Sequence, residues 1–450
     1  MAVKSIVKVS ELEGAKRLDA EYYQPKYLQA VSLLRGYPLL HKFVYKVIHP
    51  SEIKRAYEDK GFPFLLSQNV LENHLDFTQE VFIPTDVAAQ IPKNKVEPGD
   101  VLMIRTGGIG KAAPYLGEPK NLYSSAHVLI LKTKDISGSF LSTYFNTRYG
   151  KLVLQRGHYG ALQPEIAPSY VRTVPIPRFD KHEESEIENK VREAHWSLQE
   201  SKSLYLQAEQ IVMDELAWDK LDLSQPKSYA ISLSQAKNGS RIDAEHFQPK
   251  YEKLLNHVKK AGETRQIREF LDEPVSKGVT PDYIPDGEIV VVNSQHLGRY
   301  CLNFEATDRT TLAFWERNKR AQIKEHDVMI YATGAYVGRA NPYLESARAL
   351  AGVDLLLVRP NRECNPLYLS VYLNALPGIY QAEKFASGSG QRHIYPGDVK
   401  QFLVHLPSQE LQKKVADLVL QSYQARKKAK ALLEEAKRKV EEAIEEATGR

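Results

Sequence analysis

The sequence predicts a mixed α/β protein made of two pseudo-symmetric globular halves, each followed by a long helix, with the two helices packed as an antiparallel coiled coil. Three observations predict it. RLDAEYYQPKY at 17–27 returns as RIDAEHFQPKY at 241–251. The block GDVLMIRTGGIGKAAPYLGE (99–118) returns as HDVMIYATGAYVGRANPYLES (326–346), one residue longer. Two helical seams then recur at the same spacing as the opening strings.

A repeat this long is a domain with its connector rather than a solenoid unit. Two further blocks keep the order. LSTYFN (141–146) matches LSVYLN (369–374), each followed by a glycine, Gly150 and Gly378. GALQPEI (160–166) matches GSGQRHI (388–394), preserving Gly, Gln and Ile. The lead-in VKVSELEGAKRLDA also resembles YAISLSQAKNGSRIDA, so the repeat includes its own lead-in.

VLMIRT, HVLILK, EIVVV and DLLLVR are short apolar runs bounded by Gly, Pro or charge, as half-buried or core strands are. FLSTYFNTRYGKLVLQ and LYLSVYLNALPGIYQAEKF carry helical patterns whose aromatic residues belong to the core. In 181–217, Ile187, Val191, Ala194, Leu198, Ser201, Tyr205, Ala208 and Val212 step alternately by four and three, a heptad seam. Adding 224 to each position gives Leu411, Val415, Leu418, Ser422, Ala425, Ala429, Leu432 and Ala436. The small residues Ser201, Ala208, Ala425 and Ala429 allow close approach. The domain plan is therefore 1–180, helix 181–217, connector 218–240, 241–407 and helix 408–450.

Composition is that of a soluble globular protein, with 42% apolar and 26% charged residues. No stretch approaches the roughly 18–20 apolar residues of a membrane-spanning helix. The N-terminal residues carry no apolar secretory core. The two cysteines, Cys301 and Cys364, are not in a zinc or disulfide spacing. The cytoplasm is the expected compartment. Net charge is +5, with the basic excess in 1–180 and near neutrality in 241–405; that permits a polyanionic partner without demanding one.

Catalytic motifs are not found. TGGIGKA (106–112) resembles a phosphate loop, but Arg105 occupies the first glycine position and Ala112 replaces Ser/Thr; its glycines suit a strand–strand turn. Asn341-Pro342-Tyr343 lacks the second proline of an amino-methyltransferase loop and reads as a turn. Asp100 and Asp327 recur at strand starts and suit turn capping. No metal ligand set is expected.

The doubled order of these blocks is similar to the DNA-specificity subunit of type I restriction–modification enzymes. The residues that carry the resemblance are the two strand-and-turn blocks, the Gly-x-x-Gln-x-x-Ile patterns, VPIP at 174–177, and the helix openings EIENKV and ELQKKV. It spans essentially the whole chain. The resemblance implies two target recognition domains, each reading half of a bipartite DNA site, with the helix pair as spacer. A helix of ~54 Å (about 36 residues at 1.5 Å each) matches about 16 base pairs. It further implies a non-enzymatic chain partnered by double-stranded DNA, by DNA methyltransferase subunits, two in number, and by a restriction/motor subunit. S-adenosylmethionine, ATP and Mg2+ are then expected on those partners, and no cofactor on this chain.

Position beside the Gly-rich turns nominates Arg105, Lys111, Arg156, Tyr159 and Gln163 in the first copy as DNA contacts. In the second copy it nominates Lys277, Tyr331, Arg339, Gln391, Arg392 and His393. Arg and Lys suit guanine edges, Gln and Asn adenine edges. Gln163 and Gln391 recur in both copies, which suits structure or phosphate contact. Selectivity is expected where copies differ, at Pro164 against Arg392 and Glu165 against His393. Two alternatives stay open: the recognition portion of a DNA methyltransferase with divergent catalytic residues, and a repeated protein-interaction scaffold.

Overall fold

The structure, a computed structural model, describes residues 4–9, 17–54, 57–160, 162–238, 241–303 and 307–449. Lead-in residues 10–16 and 239–240, and Ala161 of the GALQPEI block, lie outside the described residues. The chain divides into two compact units, residues 1–198 with 426–450, and residues 199–425. Both boundaries fall inside the long helices, Lys181–Glu215 and Gln409–Ala447.

In unit 1, α1 (Pro25–Leu33) precedes β1 (Val44–Ile48), β2 (Val101–Ile104), β3 (Ala112–Pro114) and β4 (Val128–Thr133); α2 (Gly138–Asn146) and α3 (Arg148–Arg156) follow. The strands form an antiparallel sheet in the order β1-β4-β2-β3. Successive strand residues point to opposite faces, and here both faces are covered. Val101, Met103, Leu129 and Leu131 pack on one core with α2 and α3, while Leu102, Ile104, Val128 and Ile130 pack on a second core with Leu65 and Val70. VLMI and VLIL are therefore unbroken apolar runs rather than alternating ones.

Unit 2 repeats the plan with α4 (Pro249–Lys260), β5 (Leu271–Lys277), β6 (Val328–Tyr331), β7 (Ala340–Pro342), β8 (Leu355–Pro360), α5 (Pro366–Asn374) and α6 (Leu376–Phe385). Its sheet order, β5-β8-β6-β7, is the same. The alternation recurs too: Val328, Ile330, Leu356 and Val358 face one core, Met329, Leu355 and Leu357 the other.

Each helical pattern after the third repeated block is two helices, broken at Thr147 and at Ala375, both extended. Gly150 and Gly378 follow the breaks because the chain doubles back on itself there. A Cβ would lie 2.1 Å from the Tyr144 carbonyl oxygen and 2.3 Å from that of Leu373. Phe140, Tyr144, Phe145, Tyr368 and Tyr372 are buried core, as predicted. Asp100 and Asp327 cap turns as expected, accepting from Glu97 N at 2.7 Å and Lys324 N at 2.8 Å. Each also pairs with a cation from the neighbouring strand, Lys132 at 2.7 Å and Arg359 at 2.7 Å. Asn341-Pro342 departs from the sequence reading. It is strand, not turn, since β7 is an edge strand where proline leaves no ladder partner unsatisfied.

The long helices run antiparallel. In unit 1, Glu186 pairs with Lys439 (2.8 Å), Lys190 with Glu435 (2.9 Å) and Glu193 with Lys428 (2.8 Å). In unit 2, Ser201 and Ser422 hydroxyls meet at 3.0 Å, and Ser422 Oγ donates to the Ser201 carbonyl at 2.7 Å. The predicted seam holds in the first helix, with only Leu198 half-buried. In the second it shifts. Val415, Ser422, Ala429 and Ala436 are buried as the seam requires, whereas Leu411, Leu418, Ala425 and Leu432 are half-buried and Val419, Leu433, Val440 and Ile444 are buried instead. A straight helix drifts about 20° per heptad from a 3.5-residue repeat, and this helix must also cover the globular part, so its buried line follows both neighbours.

The repeated opening string builds a clasp. Arg17 forks onto Asp19 (2.8 and 2.6 Å) and donates to the His158 carbonyl beyond α3 (3.0 Å). Arg241 forks onto Asp243 (2.8 and 2.7 Å) and donates to the Phe385 and Ala386 carbonyls at the end of α6 (2.8 and 3.2 Å). A cation is thus fixed on the carbonyl-rich end of each helix. The helix answers with its own cation. Arg156 donates to the Tyr22 carbonyl at 3.2 Å, with its guanidinium 3.9 Å over the Tyr22 ring. In unit 2, Lys384 donates to the His246 carbonyl at 2.9 Å.

His246 is buried, and its Nδ1–H donates to the Lys384 carbonyl at 2.8 Å, which leaves Nε2 facing the Lys384 ammonium at 3.4 Å. Burial first, then Lys384 and Arg241, hold this imidazole below its ordinary pKa. The unfolded chain therefore binds a proton that the folded clasp resists, so stability falls as pH drops below about 6.5. Urea unfolding at pH 7.5 and 5.5 should show a lower midpoint at 5.5. His246→Tyr, the residue of the first copy, should remove part of that fall.

Candidate nucleic-acid interface

In each unit a Gly-rich turn and a second loop are zipped together by backbone hydrogen bonds. The turn after β2 spans 105–111 and returns as β3, which makes TGGIG a strand–strand turn. Ile166 N donates to the Arg105 carbonyl at 3.1 Å, and Gly107 N to that of Pro164 at 3.3 Å. In unit 2, Ile394 N donates to the Ala332 carbonyl and Gly334 N to that of Arg392, both at 2.9 Å. The second loop closes on itself through Tyr159 opposite Glu165, and Ser387 opposite His393.

The Gly-x-x-Gln spacing follows from that closure. Gly160 and Gly388 have φ of +92° and +103°, and a Cβ there would lie 2.7 Å and 2.2 Å from the Gln163 and Gln391 carbonyl oxygens. Only glycine fits a left-handed residue against that backbone.

The side chains on this common backbone differ. In unit 1, Arg105 and Glu165 form a two-pronged ion pair at 2.8 and 3.2 Å, and Tyr159 OH donates to the same carboxylate at 3.2 Å. The position that matches Arg105 in unit 2 is Ala332. His393 replaces Glu165, its Nδ1 3.1 Å from Thr333 Oγ1 and its ring stacked 6.5 Å from exposed Tyr395. Gln163, Gln391 and Arg392 are exposed, and Lys111 is half-buried at the end of the unit 1 turn.

Arg339 is half-buried, 4.0 Å over the Tyr336 ring and donating to the Leu297 carbonyl at 3.1 Å. Tyr331 meets the same Tyr336 ring edge-on at 6.1 Å. Exposed Lys277 ends β5 opposite Leu356, whose other neighbour is Ile330, so it shares the sheet end of Tyr331. Arg156 stands apart from this set, buried in the lead-in clasp. Tyr336 and Tyr395, exposed at 40% and 51%, join the surface without having been nominated. The signal for Tyr336 was the longer second-copy turn.

Among the described residues, no group of three His, Cys, Asp or Glu side chains could hold a metal ion, and no helix is long and apolar enough to cross a membrane. Gly388→Ala should destabilise unit 2 by ~1–3 kcal/mol through strain at a left-handed residue. Gly397→Ala, where an added Cβ meets open space, should change little. Urea denaturation of both variants checks the contrast.

No family model matches the sequence, and no curated protein matches it. Among solved structures, the chain is similar to the crystal structure of a type I restriction-modification system S subunit from M. genitalium. Identity is 13%, coverage 91% of this chain and 96% of that chain, and the TM-score 0.41. A structure concerning complex assembly and conformational transition of the type I R-M system is 15% identical over 92% of this chain and 97% of that one, with a TM-score of 0.29. The HsdS subunit from Thermoanaerobacter tengcongensis is 15% identical over 92% and 95%, with a TM-score of 0.29.

Proposed function

We propose that this chain is the non-catalytic DNA sequence-recognition subunit of a type I restriction–modification complex. Each globular half reads one part of a bipartite site, and the antiparallel helix pair sets the gap. The observation that carries the reading is the doubled zipper of loops, with one backbone plan and two sets of side chains. Phosphate contacts position a protein and base-edge contacts specify sequence. A fixed backbone with Arg105, Tyr159 and Glu165 in one unit, and Arg392, His393 and Tyr395 in the other, suits two readers of different half-sites.

Methyl transfer and cleavage then belong to partners, two methyltransferase subunits and a restriction/motor subunit, which carry S-adenosylmethionine, ATP and Mg2+ in the cytoplasm. Binding of S-adenosylmethionine to the isolated chain would instead favour a divergent methyltransferase.

Mapping methylated positions in DNA from cells carrying this chain and its neighbouring methyltransferase tests the reading. The expected pattern is two short blocks separated by a fixed gap; a single contiguous block would overturn it. Matched heptad insertions within 187–212 and 411–436 should change the gap and leave both blocks intact. Affinity for duplex DNA should fall linearly in log–log terms with salt, by ~10³–10⁵ between 50 and 200 mM if six to ten phosphates are contacted. A scaffold that never touches nucleic acid would show no such slope.

A further inference from the structure

One pair of matched positions in the two units carries opposite charge. In unit 1 the hairpin Val70–Leu71 and His74–Leu75 places Glu72 at its tip. Glu72 accepts from Lys437 of the second long helix at 2.9 Å and from Lys151 of α3 at 2.5 Å. The Glu72 and Lys437 side chains are only 23% and 15% exposed. In unit 2 the corresponding hairpin, bridged at Leu297 and Leu302, places Arg299 at the tip. Arg299 reaches Glu209 of the first long helix at 3.7 Å, where the Glu209 side chain is 18% exposed.

The two contacts fall one helical turn apart on the repeat. Subtracting 224 from Lys437 gives half-buried Met213, and adding 224 to Glu209 gives buried Leu433. Matched stretches of the two long helices thus show an acid to one hairpin and a lysine to the other. In a misfolded chain whose globular parts docked on the wrong helix stretches, Glu72 would fall over Met213, one turn from Glu209, and Arg299 over Leu433, one turn from Lys437. Like charges in a partly desolvated contact are costly to both partners.

We propose that the hairpin tip charge, acidic in unit 1 and basic in unit 2, is a pairing code that lets each globular half seat only on its own stretch of the long helices. The backbone repeat alone cannot supply this choice, because the sheets, helices and loops of the two halves follow the same plan. Lone surface ion pairs contribute little, so the code acts chiefly against the wrong pairing. This is how polar groups select partners in other helical assemblies.

The full-length protein tests this in a Lys151→Gln background, which removes the second cation on Glu72 and leaves Glu434, the other acid on Lys437, unchanged in every variant. Exchanging the hairpin charges alone, E72R with R299E, should lower the thermal midpoint by ~4–10 °C. Adding E209K and K437E exchanges the helix charges too, and should recover more than half of that loss. No recovery, or no loss in the hairpin-only variant, overturns the code. Should the hairpin-only variant fail to fold, a milder cycle decides. K437E should lower the midpoint by a smaller amount when Glu72 is already Gln, and an equal loss in both backgrounds sinks the proposal.

Discussion

Neither globular half completes its core from its own stretch of sequence, and the rest of the structure depends on that constraint. The larger unit 1 core unites Val101, Met103 and Phe145 with Ala429, Leu433, Ala436, Val440 and Ile444, which come far later in the chain, on the second long helix. The unit 2 core unites its sheet with Tyr205, Ala208 and Val212 from the preceding helix, with Leu216 just beyond its end, and with Val415 and Val419 from the following helix. Each burial removes apolar area from water only if both long helices are in place. The first half therefore cannot acquire its full core until the C-terminal helix has been made and has returned to it. Such long-range closure is entropically costly and slow, and it makes correct seating on the helices a problem that the sequence has to solve.

Polar groups solve part of that problem. Asn146 and Asn374 occupy matched places at the ends of α2 and α5. Asn146 accepts from Ala112 N and donates to Asn73 at 2.8 Å, whereas Asn374 accepts from Ala340 N and donates to the Tyr205 hydroxyl at 2.8 Å. One tether stays within the globular half and the other reaches the helix. Buried amides must be satisfied, so each asparagine fixes the position of what it touches. The copies keep the amide and its backbone partner and change the side-chain partner.

Much of the fold was legible because the repeat marks residues that physics leaves no freedom to change. Gly150, Gly160 and their partners face carbonyl oxygens that any Cβ would strike. Arg17 and Asp19 close a helix end, and their spacing survives as Arg241 and Asp243. The strand runs were readable because both faces of each central strand are buried. What escaped reading depends on tertiary neighbours. The second helix seam slid from Leu418 and Leu432 to Val419 and Leu433 because the helix serves a lobe as well as a partner helix. Arg156 stands beside a glycine turn in sequence yet lies buried on Tyr22, and nothing in the one-dimensional pattern distinguishes a cation facing solvent from one stacked on a ring. Tyr395 joins the loop surface only through its stacking on His393.

The same logic separates two kinds of difference between the copies. Where Tyr22 becomes His246 and Arg156 becomes Lys384, the chemistry changes but the bond is retained, since a cation still meets the same carbonyl. Where Arg105 becomes Ala332 and Glu165 becomes His393, no bond is retained except the backbone zipper beneath. A compensated exchange preserves structure. An uncompensated exchange on an invariant backbone, at a surface, frees side chains to meet something outside the protein. Under the proposed function that something is a base edge. The zipped loops are where the two halves can diverge in what they read, because the zipper holds its shape whatever the side chains become.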